Sequence, residues 1–559
     1  MSEEPVDRLI TPPPGTISRP RFGSLLRTIQ LLLGVGAIAG VFWLLQSSTD
    51  SICCGDYDGY YHIKWSRSLW EGMKAHKFPP EFPWLPLTTL NSKEYVDHHL
   101  LFHIMQIPFA EFSDPRKGAK VASIVFATLA VFSCYWLLIY FRIRFVLVWL
   151  VAMMASSVPF MFRMNMAKAP PLAIVYLVIA IALFFKKKYW PLLPLALVFT
   201  WTYDLFVLLI MAAVLWTLVI AWTERRFEWR PLVWVILGCA AGLVINPYFP
   251  QNFRQLGEHM AIKLTMSGYD TKVGSEWYPY DSWEFLGNSA VAFIAMLVGY
   301  IAFEPAERRR AHYPLFFLLF STALMIMTMR WKRISEYWPV FAVMFAAFSL
   351  QAWLRPGFPS YLTRLPEHVL EELKPFLDGV TPDRIDWREW ARIIGAAFVA
   401  LVLGVVLFFN LWSVTDEIGR SEPHDHYKDG AAWMRTNIPP GQIVFNTDWD
   451  DFPRLFFFDP THYYVSGLDP SYLFEKNPDL SRLYDRITLG QQDNPGPLIR
   501  DRFGARYVFS DNAHDDFFEK ARESGWFDVV YEDLDCTIMY IRDEPLRSEE
   551  GVLGLSDEP

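Results

Sequence analysis

Long apolar stretches separated by short polar segments make up most of the chain before residue 414. About 20 apolar residues are enough to cross a bilayer as a helix. A single helix over 189–223 would be about 50 Å long and the membrane is only about 30 Å thick, so Tyr203 and Asp204 separate two predicted helices. We predict eleven spanning helices, near residues 26–46, 119–141, 145–162, 169–185, 189–203, 205–223, 231–248, 285–303, 312–329, 335–354 and 392–413.

The composition agrees with a mostly α-helical membrane domain over residues 26–413. Of the 559 residues, 52% are hydrophobic and 20% are charged, and the mean hydropathy is +0.17. These values exclude an ordinary cytosolic enzyme and a disordered chain. Five cysteines are too few for a small disulfide-rich scaffold.

The positive charges predict the orientation of the chain. Arg and Lys cluster in alternate connections, which the positive-inside rule places in the cytoplasm. With an odd number of spans, the N-terminal tail 1–25 lies inside and the external loops 47–118 and 249–284 lie outside. We therefore expect a protein of a prokaryotic inner (plasma) membrane. The clusters are Arg8–Arg27, Arg142–Arg144, Lys186–Lys188, Arg225–Arg230 and Arg308–Arg310.

The C-terminal segment 414–559 has a different character. It carries 14 Lys and Arg against 30 Asp and Glu, a net charge of −16, whereas the rest of the chain carries +7. Short β-rich runs alternate with helical stretches such as Asp515–Glu523, which predicts an extracytoplasmic α/β domain. Its acidity argues against a nucleic-acid partner. The predicted strands are Ile443–Phe445, Tyr463–Val465, Arg506–Ser510, Asp528–Tyr531 and Thr537–Ile541.

Two carboxylates open the first external loop. Asp56 and Asp58 lie in the sequence Gly-Asp-Tyr-Asp-Gly-Tyr-Tyr-His, soon after the first predicted helix. Such a pair in a glycine-rich turn can hold a divalent cation such as Mg²⁺ or Mn²⁺. Either carboxylate can also accept a proton from an acceptor group. The alternative is a solvent-exposed acidic turn without chemistry.

The run 58–72 resembles the first acidic motif in the catalytic subunits of oligosaccharyltransferases, which belong to the GT-C superfamily. In that family an Asp followed by an aromatic pair opens the first external loop, and an amphipathic helix follows. The resemblance implies a membrane glycosyltransferase whose donor is a sugar on a polyprenyl phosphate. It also implies that Asp58 is the metal-binding carboxylate, with Asp56 as an additional candidate.

The loop before the eighth predicted helix carries a second similarity. The run 273–279 is similar to the family's motif in the corresponding external loop, where small residues precede a Glu. In the family this Glu holds the acceptor, which implies the same role for Glu276. The alternative is a membrane-surface Glu between aromatic anchors.

The turn 330–339 carries a third similarity, to the Arg-containing start of a late helix whose Arg meets the lipid-linked phosphate. Arg333 aligns best, with Arg330 and Lys332 as helpers. An Arg fork can bind two phosphate oxygens at once. Without a phosphate, these cations on the unfavoured side would extend to lipid headgroups.

A cluster of polar residues follows within the first external loop. Asp97, His98 and His99 could complete a metal site or shuttle protons, and His99 and His103 are one helical turn apart. The alternative is the polar face of an interfacial helix.

The sequence departs from the family in two places. The second external loop, residues 163–171, lacks the family's second acidic pair. Either Asp56, Asp97 or a His replaces it, or the enzyme works without a tightly held cation. In the tail, Asp448, Trp449 and Asp450 keep only part of the family's Trp-Trp-Asp motif that recognises the acceptor sequon.

The cysteines give little functional information. Cys134 and Cys239 lie within predicted helices, where packing is their expected role. Cys53 and Cys54 are adjacent, and the Cα separation that disulfides prefer argues against a bond between them.

The sequence thus predicts a glycosyltransferase that moves a sugar or glycan from a polyprenyl phosphate in the membrane to an extracytoplasmic protein, glycan or lipid. The reaction is displacement at the anomeric carbon. A true protein oligosaccharyltransferase, a transporter or flippase of lipid-linked glycans, and a non-catalytic scaffold are the alternatives. The candidate charges gather on one side rather than along the spans, which favours an enzyme.

Overall fold

The structure is a computed structural model that describes residues 22–54, 57–257, 274–304, 311–354 and 387–546. Asp56, Arg308–Arg310, most of the N-terminal tail and part of the loop 249–284 lie outside the described residues.

Every segment predicted to span the membrane contains a helix. Two more helices, α2 and α3, lie in the segment 47–118, which was predicted to be the first external loop. The predicted spans 145–162 and 285–303 are each built from two helices rather than one. The helices are α1 (Phe22–Ser47), α2 (Asp58–Lys74), α3 (Leu100–Ala110), α4 (Pro115–Tyr140), α5 (Val146–Met154), α6 (Val158–Met164), α7 (Pro170–Phe185), α8 (Leu192–Thr202), α9 (Val207–Glu224), α10 (Arg230–Val244), α11 (Ser282–Asn288), α12 (Ala290–Ala302), α13 (His312–Arg330), α14 (Trp338–Leu354) and α15 (Trp387–Gly419).

The helices in the predicted spans differ in length and straightness. Among the described residues, five helices are long and apolar enough to cross a membrane alone, or up to seven if each of the bent pairs α5–α6 and α11–α12 is one span. The helices α7, α8, α10 and α14 have only 11–17 residues, about 17–26 Å at 1.5 Å per residue. Eleven spans are therefore not confirmed, because an apolar run does not reveal where its helix bends or stops.

Helix α15 exposes apolar side chains that require a lipid environment. Helix α15 has 33 residues, and the central window of its apolar stretch is not buried by the rest of the chain. Phe398, Phe408 and Trp412 on this helix are all more than half exposed. A long helix with bare aromatic side chains needs lipid around it. The chain is an integral membrane protein.

The C-terminal segment folds around a mixed sheet, and all five predicted strands are confirmed. The strand order is β2-β1-β3-β5-β4, with β1 parallel to β2 and β3, and β5 antiparallel to β3 and β4. The strands are β1 (Ile443–Asn446), β2 (Tyr463–Tyr464), β3 (Ala505–Asp511), β4 (Phe527–Glu532) and β5 (Cys536–Ile541). The helices between and beside them are α16 (Lys428–Asn437), α17 (Phe452–Phe458), α18 (Ser471–Lys476), α19 (Pro478–Thr488), α20 (Pro495–Leu498) and α21 (Asp515–Ser524).

The first external loop and this domain share one hydrophobic core. Trp65 on α2 and Phe82 beyond it are fully buried with Phe452 and Phe456 of α17. Arg454, also fully buried, lies over the rings of Tyr57 and Tyr60 and donates to the carbonyl oxygens of Pro423 and Glu422. This contact fixes the start of α2, and hence Asp58, against the domain.

The expectation for the adjacent cysteines was wrong. Cys53 and Cys54 form a disulfide, with their Cα atoms 3.2 Å apart across a cis peptide bond. The other three cysteines are buried and free.

Candidate active site

One cleft collects side chains from the three motifs that the sequence singled out. It has about 780 Å³ of empty space, part of it open to solvent, and lies between α2, the ends of the apolar helices and the C-terminal domain. Asp58, Glu276 and Arg333 all line it. The structure thus brings together three residues that are far apart in the sequence.

Asp58 is the first residue of α2, and its carboxylate lies against a lysine. Lys168 Nζ is 2.9 Å from Asp58 Oδ2. The neighbouring Gly59 makes this approach possible: a Cβ there would lie 2.7 Å from Ile52 and 2.9 Å from Ala167. The missing side chain lets α2 pack directly on the connection between α6 and α7, which carries Lys168.

Glu276 lies in the short 3₁₀ helix Ser275–Trp277 and is held by two arginines. Arg163 Nη2 donates to Glu276 Oε2 at 2.7 Å, and Arg333 Nη1 donates to Glu276 Oε1 at 2.9 Å. Arg163 also donates from Nε to the buried Glu336, at 2.7 Å. Burial raises the pKa of Glu276, but Arg333 and Arg163 outweigh it and hold that pKa well below its usual range. Glu276 is therefore ionised at neutral pH.

Arg333 lies in the 3₁₀ helix Lys332–Glu336, between α13 and α14. Its Nε and Nη2 donate to Tyr203 Oη at 3.0 and 2.8 Å. The extended backbone of Tyr203 ends α8, and the 3₁₀ turn Asp204–Phe206 follows it. The predicted break between the helices is confirmed, and it turns Tyr203 and Asp204 into the cleft.

His98, His99 and Asp204 form a second group in the cleft. Each offers one ligand atom, and these three atoms lie within 4.8 Å of one another. Burial, and then His98, lower the pKa of His99 well below its usual value, so its imidazole is neutral at pH 7. His99 Nε2 is also buried and has no hydrogen-bond partner within the described chain.

Asp97 starts a buried hydrogen-bonded chain behind the cleft. It accepts from Trp65 Nε1 at 2.9 Å and from His103 Nδ1 at 2.8 Å, and His103 Nε2 is 2.7 Å from His62 Nδ1. Burial raises the pKa of Asp97, but His103 and these hydrogen bonds lower it below its usual value overall. An ionised Asp97 makes His103 Nδ1 a donor and its Nε2 an acceptor, so His62 Nδ1 donates. His62 Nε2 is then the proton-accepting end, and His62 lines the cleft.

Several predicted residues lie elsewhere. Arg330 and Lys332 are not among the described residues that line the cleft, and Lys332 Nζ instead lies over the ring of Tyr280. Asp448, Trp449 and Asp450 follow β1 and are also absent from its described lining, where the domain contributes Leu468, Asp469 and Tyr472.

Sequence reasoning missed Arg163, Lys168, Tyr203 and Glu336. The first two lie in the loop that lacks the family's acidic pair, and basic residues at that position were the available signal. Tyr203 was seen only as a helix break, and Glu336 only as part of a motif centred on Arg333.

The side chains that line the cleft differ in how well they suit a divalent cation. Asp58 faces an ammonium group and Glu276 faces two guanidinium groups, and Asp56, the carboxylate predicted beside Asp58 in a metal site, lies outside the described residues. Two imidazoles and a carboxylate are suitable ligands for Zn²⁺ or a similar transition-metal ion. Among the described residues, His98, His99 and Asp204 fit such a cation.

No protein-family model and no curated protein sequence matches the chain. Solved structures do. The archaeal oligosaccharyltransferase AglB from Archaeoglobus fulgidus, in complex with an inhibitory peptide and a dolichol-phosphate, matches with a TM-score of 0.57 at 12% identity over 87% of this chain and 70% of that chain. ArnT from Cupriavidus metallidurans, in the apo state, matches with a TM-score of 0.54 at 12% identity over 92% and 98% of the two chains. ArnT bound to undecaprenyl phosphate gives 0.52 at 13% identity, with the same coverage. The fold is that of the GT-C membrane glycosyltransferases.

Proposed function

We propose that this protein is a GT-C glycosyltransferase that transfers a sugar or glycan from a polyprenyl-phosphate carrier to an acceptor at the outer face of the membrane. The observation that carries the proposal is the single cleft lined by the carboxylate of Asp58 and the guanidinium of Arg333, at the ends of apolar helices. The dolichol-phosphate of the AglB structure and the undecaprenyl phosphate of the ArnT structure support a donor of this chemical class.

The reaction is a displacement at the anomeric carbon. A nucleophilic atom of the acceptor forms a bond to that carbon while the bond from the carbon to the phosphate oxygen breaks. The electron pair of the broken bond leaves with the lipid phosphate. The acceptor loses a proton, which a base in the cleft must accept.

Arg333 meets the phosphate. A guanidinium has five N–H donors, and the hydrogen bonds of Arg333 to Tyr203 and Glu276 use three of them. The remaining two can bind phosphate oxygens and stabilise the charge that develops on the leaving group. Tyr203 and Glu276 fix the orientation of the fork beforehand, so little ordering is needed when the phosphate binds.

Asp58 accepts the proton, and its ion pair with Lys168 holds the carboxylate in place at the cleft. The chain from Asp97 through His103 supplies a second proton-accepting atom at the cleft, His62 Nε2, four residues after Asp58 on the same helix. Burial and His103 lower the pKa of His62 well below its usual value, so its imidazole is neutral at pH 7 but a weaker base than an ordinary histidine.

A cation held by His98, His99 and Asp204 would supply positive charge near the phosphate. The two histidines precede α3 and Asp204 follows α8, so such a cation would also tie the first external loop to the membrane domain.

The alternative within the enzymes is a protein oligosaccharyltransferase, whose acceptor is an asparagine in a protein sequon. Asp448, Trp449 and Asp450 are absent from the described cleft lining, which favours an acceptor other than a sequon. Transport of a lipid-linked glycan is the alternative outside the enzymes. It requires polar groups along the spans, whereas the charges described above gather at one end of the helices.

The test is transfer of a labelled sugar from native lipid-linked donors in membrane vesicles that contain wild-type protein or Asp58→Asn. We expect transfer to fall by about 10²–10⁴-fold, as for loss of a general base. Asp493→Asn, at a carboxylate that is 86% exposed, is the matched control and should transfer normally. Unchanged transfer in Asp58→Asn would refute the assigned role. Loss of lipid-linked glycan translocation with no transfer in the wild type would favour the flippase.

A further inference from the structure

A second pocket opens beside the cleft. It has about 490 Å³ of empty space, part of it open to solvent. His98, Asp204 and Tyr472 line both the cleft and this side pocket. The two spaces are therefore adjacent, and one extended ligand could occupy both.

Buried amide atoms without partners face this side pocket. Asn252 is only 6% exposed, and its Nδ2 donates to the carbonyl oxygen of Leu243 at 2.8 Å, while its Oδ1 has no partner among the described residues. Gln255, one turn further along the helical stretch 251–257, has no partner within the described chain for either its Oε1 or its Nε2. A buried polar atom without a hydrogen bond costs about 1–3 kcal/mol, so such atoms point to a polar ligand or to bound water.

The other residues that line the side pocket indicate which kind of ligand it can bind. Asp97 and Asp204 contribute carboxylates, and no Lys or Arg is among the described lining residues. An anion such as a phosphate would therefore be repelled. The lining also contains the apolar side chains of Val96, Phe206 and Leu243, and a purely apolar ligand would satisfy these but leave the amides unpaired.

We propose that the side pocket binds one neutral sugar unit, whose hydroxyl groups bond to the amides of Asn252 and Gln255 and whose C–H faces lie on the apolar side chains. A sugar combines hydroxyl donors and acceptors with apolar faces, which matches this lining. The inference deepens the proposed function, because the glycan would continue from the side pocket into the cleft that holds Asp58 and Arg333. The sugar comes either from the lipid-linked donor or from the acceptor.

The substitution that tests the site is Gln255→Leu, because Gln255 gives up no hydrogen bond within the described chain. Asn252→Leu is a second variant, but it also removes the bond to Leu243. Gln491→Leu, at an exposed glutamine in the C-terminal domain, is the matched control. The full chain in lipid nanodiscs is titrated with methyl glycosides of glucose, galactose, mannose and N-acetylglucosamine, and binding is followed by saturation-transfer NMR.

We expect at least one glycoside to bind the wild type and Gln491→Leu equally, and to bind Gln255→Leu about tenfold more weakly. Thermal unfolding separates this from damage, because removing an unpaired amide should leave Gln255→Leu at least as stable as the wild type. Absence of binding by every glycoside, or equal binding by wild type and Gln255→Leu, overturns the proposal and leaves water as the occupant.

The lipids that copurify with each protein from native membranes show whether the sugar belongs to the donor or to the acceptor. If the donor supplies the sugar, Gln255→Leu retains less lipid-linked glycan but the same amount of bare polyprenyl phosphate. If the acceptor supplies it, the retained lipids are unchanged and only glycoside binding weakens. Neither readout requires transfer, so a protein that binds sugars through Gln255 but transfers none would refute the proposed function and leave the side pocket intact.

Discussion

Lys168 places its ammonium nitrogen 2.9 Å from the carboxylate of Asp58, the residue that the family resemblance implies as a metal ligand. Lys168 lies in the loop where oligosaccharyltransferases carry their second acidic pair. Arg163 in the same loop pairs with Glu276 and Glu336. Three cationic side chains of the cleft, Lys168, Arg163 and Arg333, are thus set against carboxylates. Basic side chains of this cleft therefore neutralise the carboxylates that line it.

Reversal of the charge at Lys168 should create the missing metal site. In Lys168→Glu, two carboxylates face each other at Asp58 and suit Mn²⁺ or Mg²⁺. We expect the variant to bind one Mn²⁺, as measured by electron paramagnetic resonance. A His98→Ala background removes the other candidate site, and that single variant is the control. Mn²⁺ bound at Asp58 while Lys168 is present would contradict this interpretation.

The histidine group should bind a transition-metal ion. We expect purified protein to bind one Co²⁺, with a visible absorption spectrum that indicates nitrogen and oxygen ligands. Binding should be lost in His98→Ala, in His99→Ala and in Asp204→Asn. His514→Ala, at a histidine of the C-terminal domain that pairs with Asp511, is the control. Retention of the spectrum in all three variants would exclude this site.

Arg333 should account for much of the affinity for the lipid phosphate. A charge-assisted hydrogen bond contributes about 1.5–3 kcal/mol, so Arg333→Ala should weaken binding of undecaprenyl phosphate by about 10–100-fold. Arg333→Lys keeps the charge but loses the forked pair of donors, so its affinity for undecaprenyl phosphate should lie between those of the wild type and Arg333→Ala. Arg330→Ala removes an exposed cation of the same turn, and we expect wild-type affinity. Equal losses at both positions would indicate a general surface charge effect instead.

The stability of the protein should fall in acid because of His424. Its Nδ1 is 3.1 Å from Tyr60 Oη and its ring stacks on Tyr60. Burial, then Arg116 and Arg454, lower its pKa to about 4. An unfolded His titrates near pH 6.5, so between about pH 6.5 and 4 the unfolded chain binds more protons than the folded one. The free energy of unfolding therefore decreases as the pH falls through that window. Above the window, protonation of His424 does not contribute to the pH dependence of stability.

This dependence is measured by thermal unfolding in nanodiscs at pH 7.5 and pH 4.5, for the wild type and His424→Phe. The phenyl ring keeps the stacking but cannot take a proton. We expect a smaller acid-induced drop in the unfolding midpoint of His424→Phe. Identical drops in both proteins would assign the acid sensitivity to other groups.

The sequence by itself determined the elements of this protein, because the signals for elements are local. Apolar runs marked the membrane helices, alternation and β-branched residues marked all five strands, and Tyr203–Asp204 marked a helix break. It also supplied Asp58, Glu276 and Arg333, since each lies in a short motif. Only the tertiary structure decided what these residues face. Gly59 allows α2 to touch the loop of Lys168, and the break after α8 brings Tyr203 to Arg333 from 130 residues away. Pairings over such distances, like the bends within the pairs α5–α6 and α11–α12, depend on packing between segments, which no local pattern encodes.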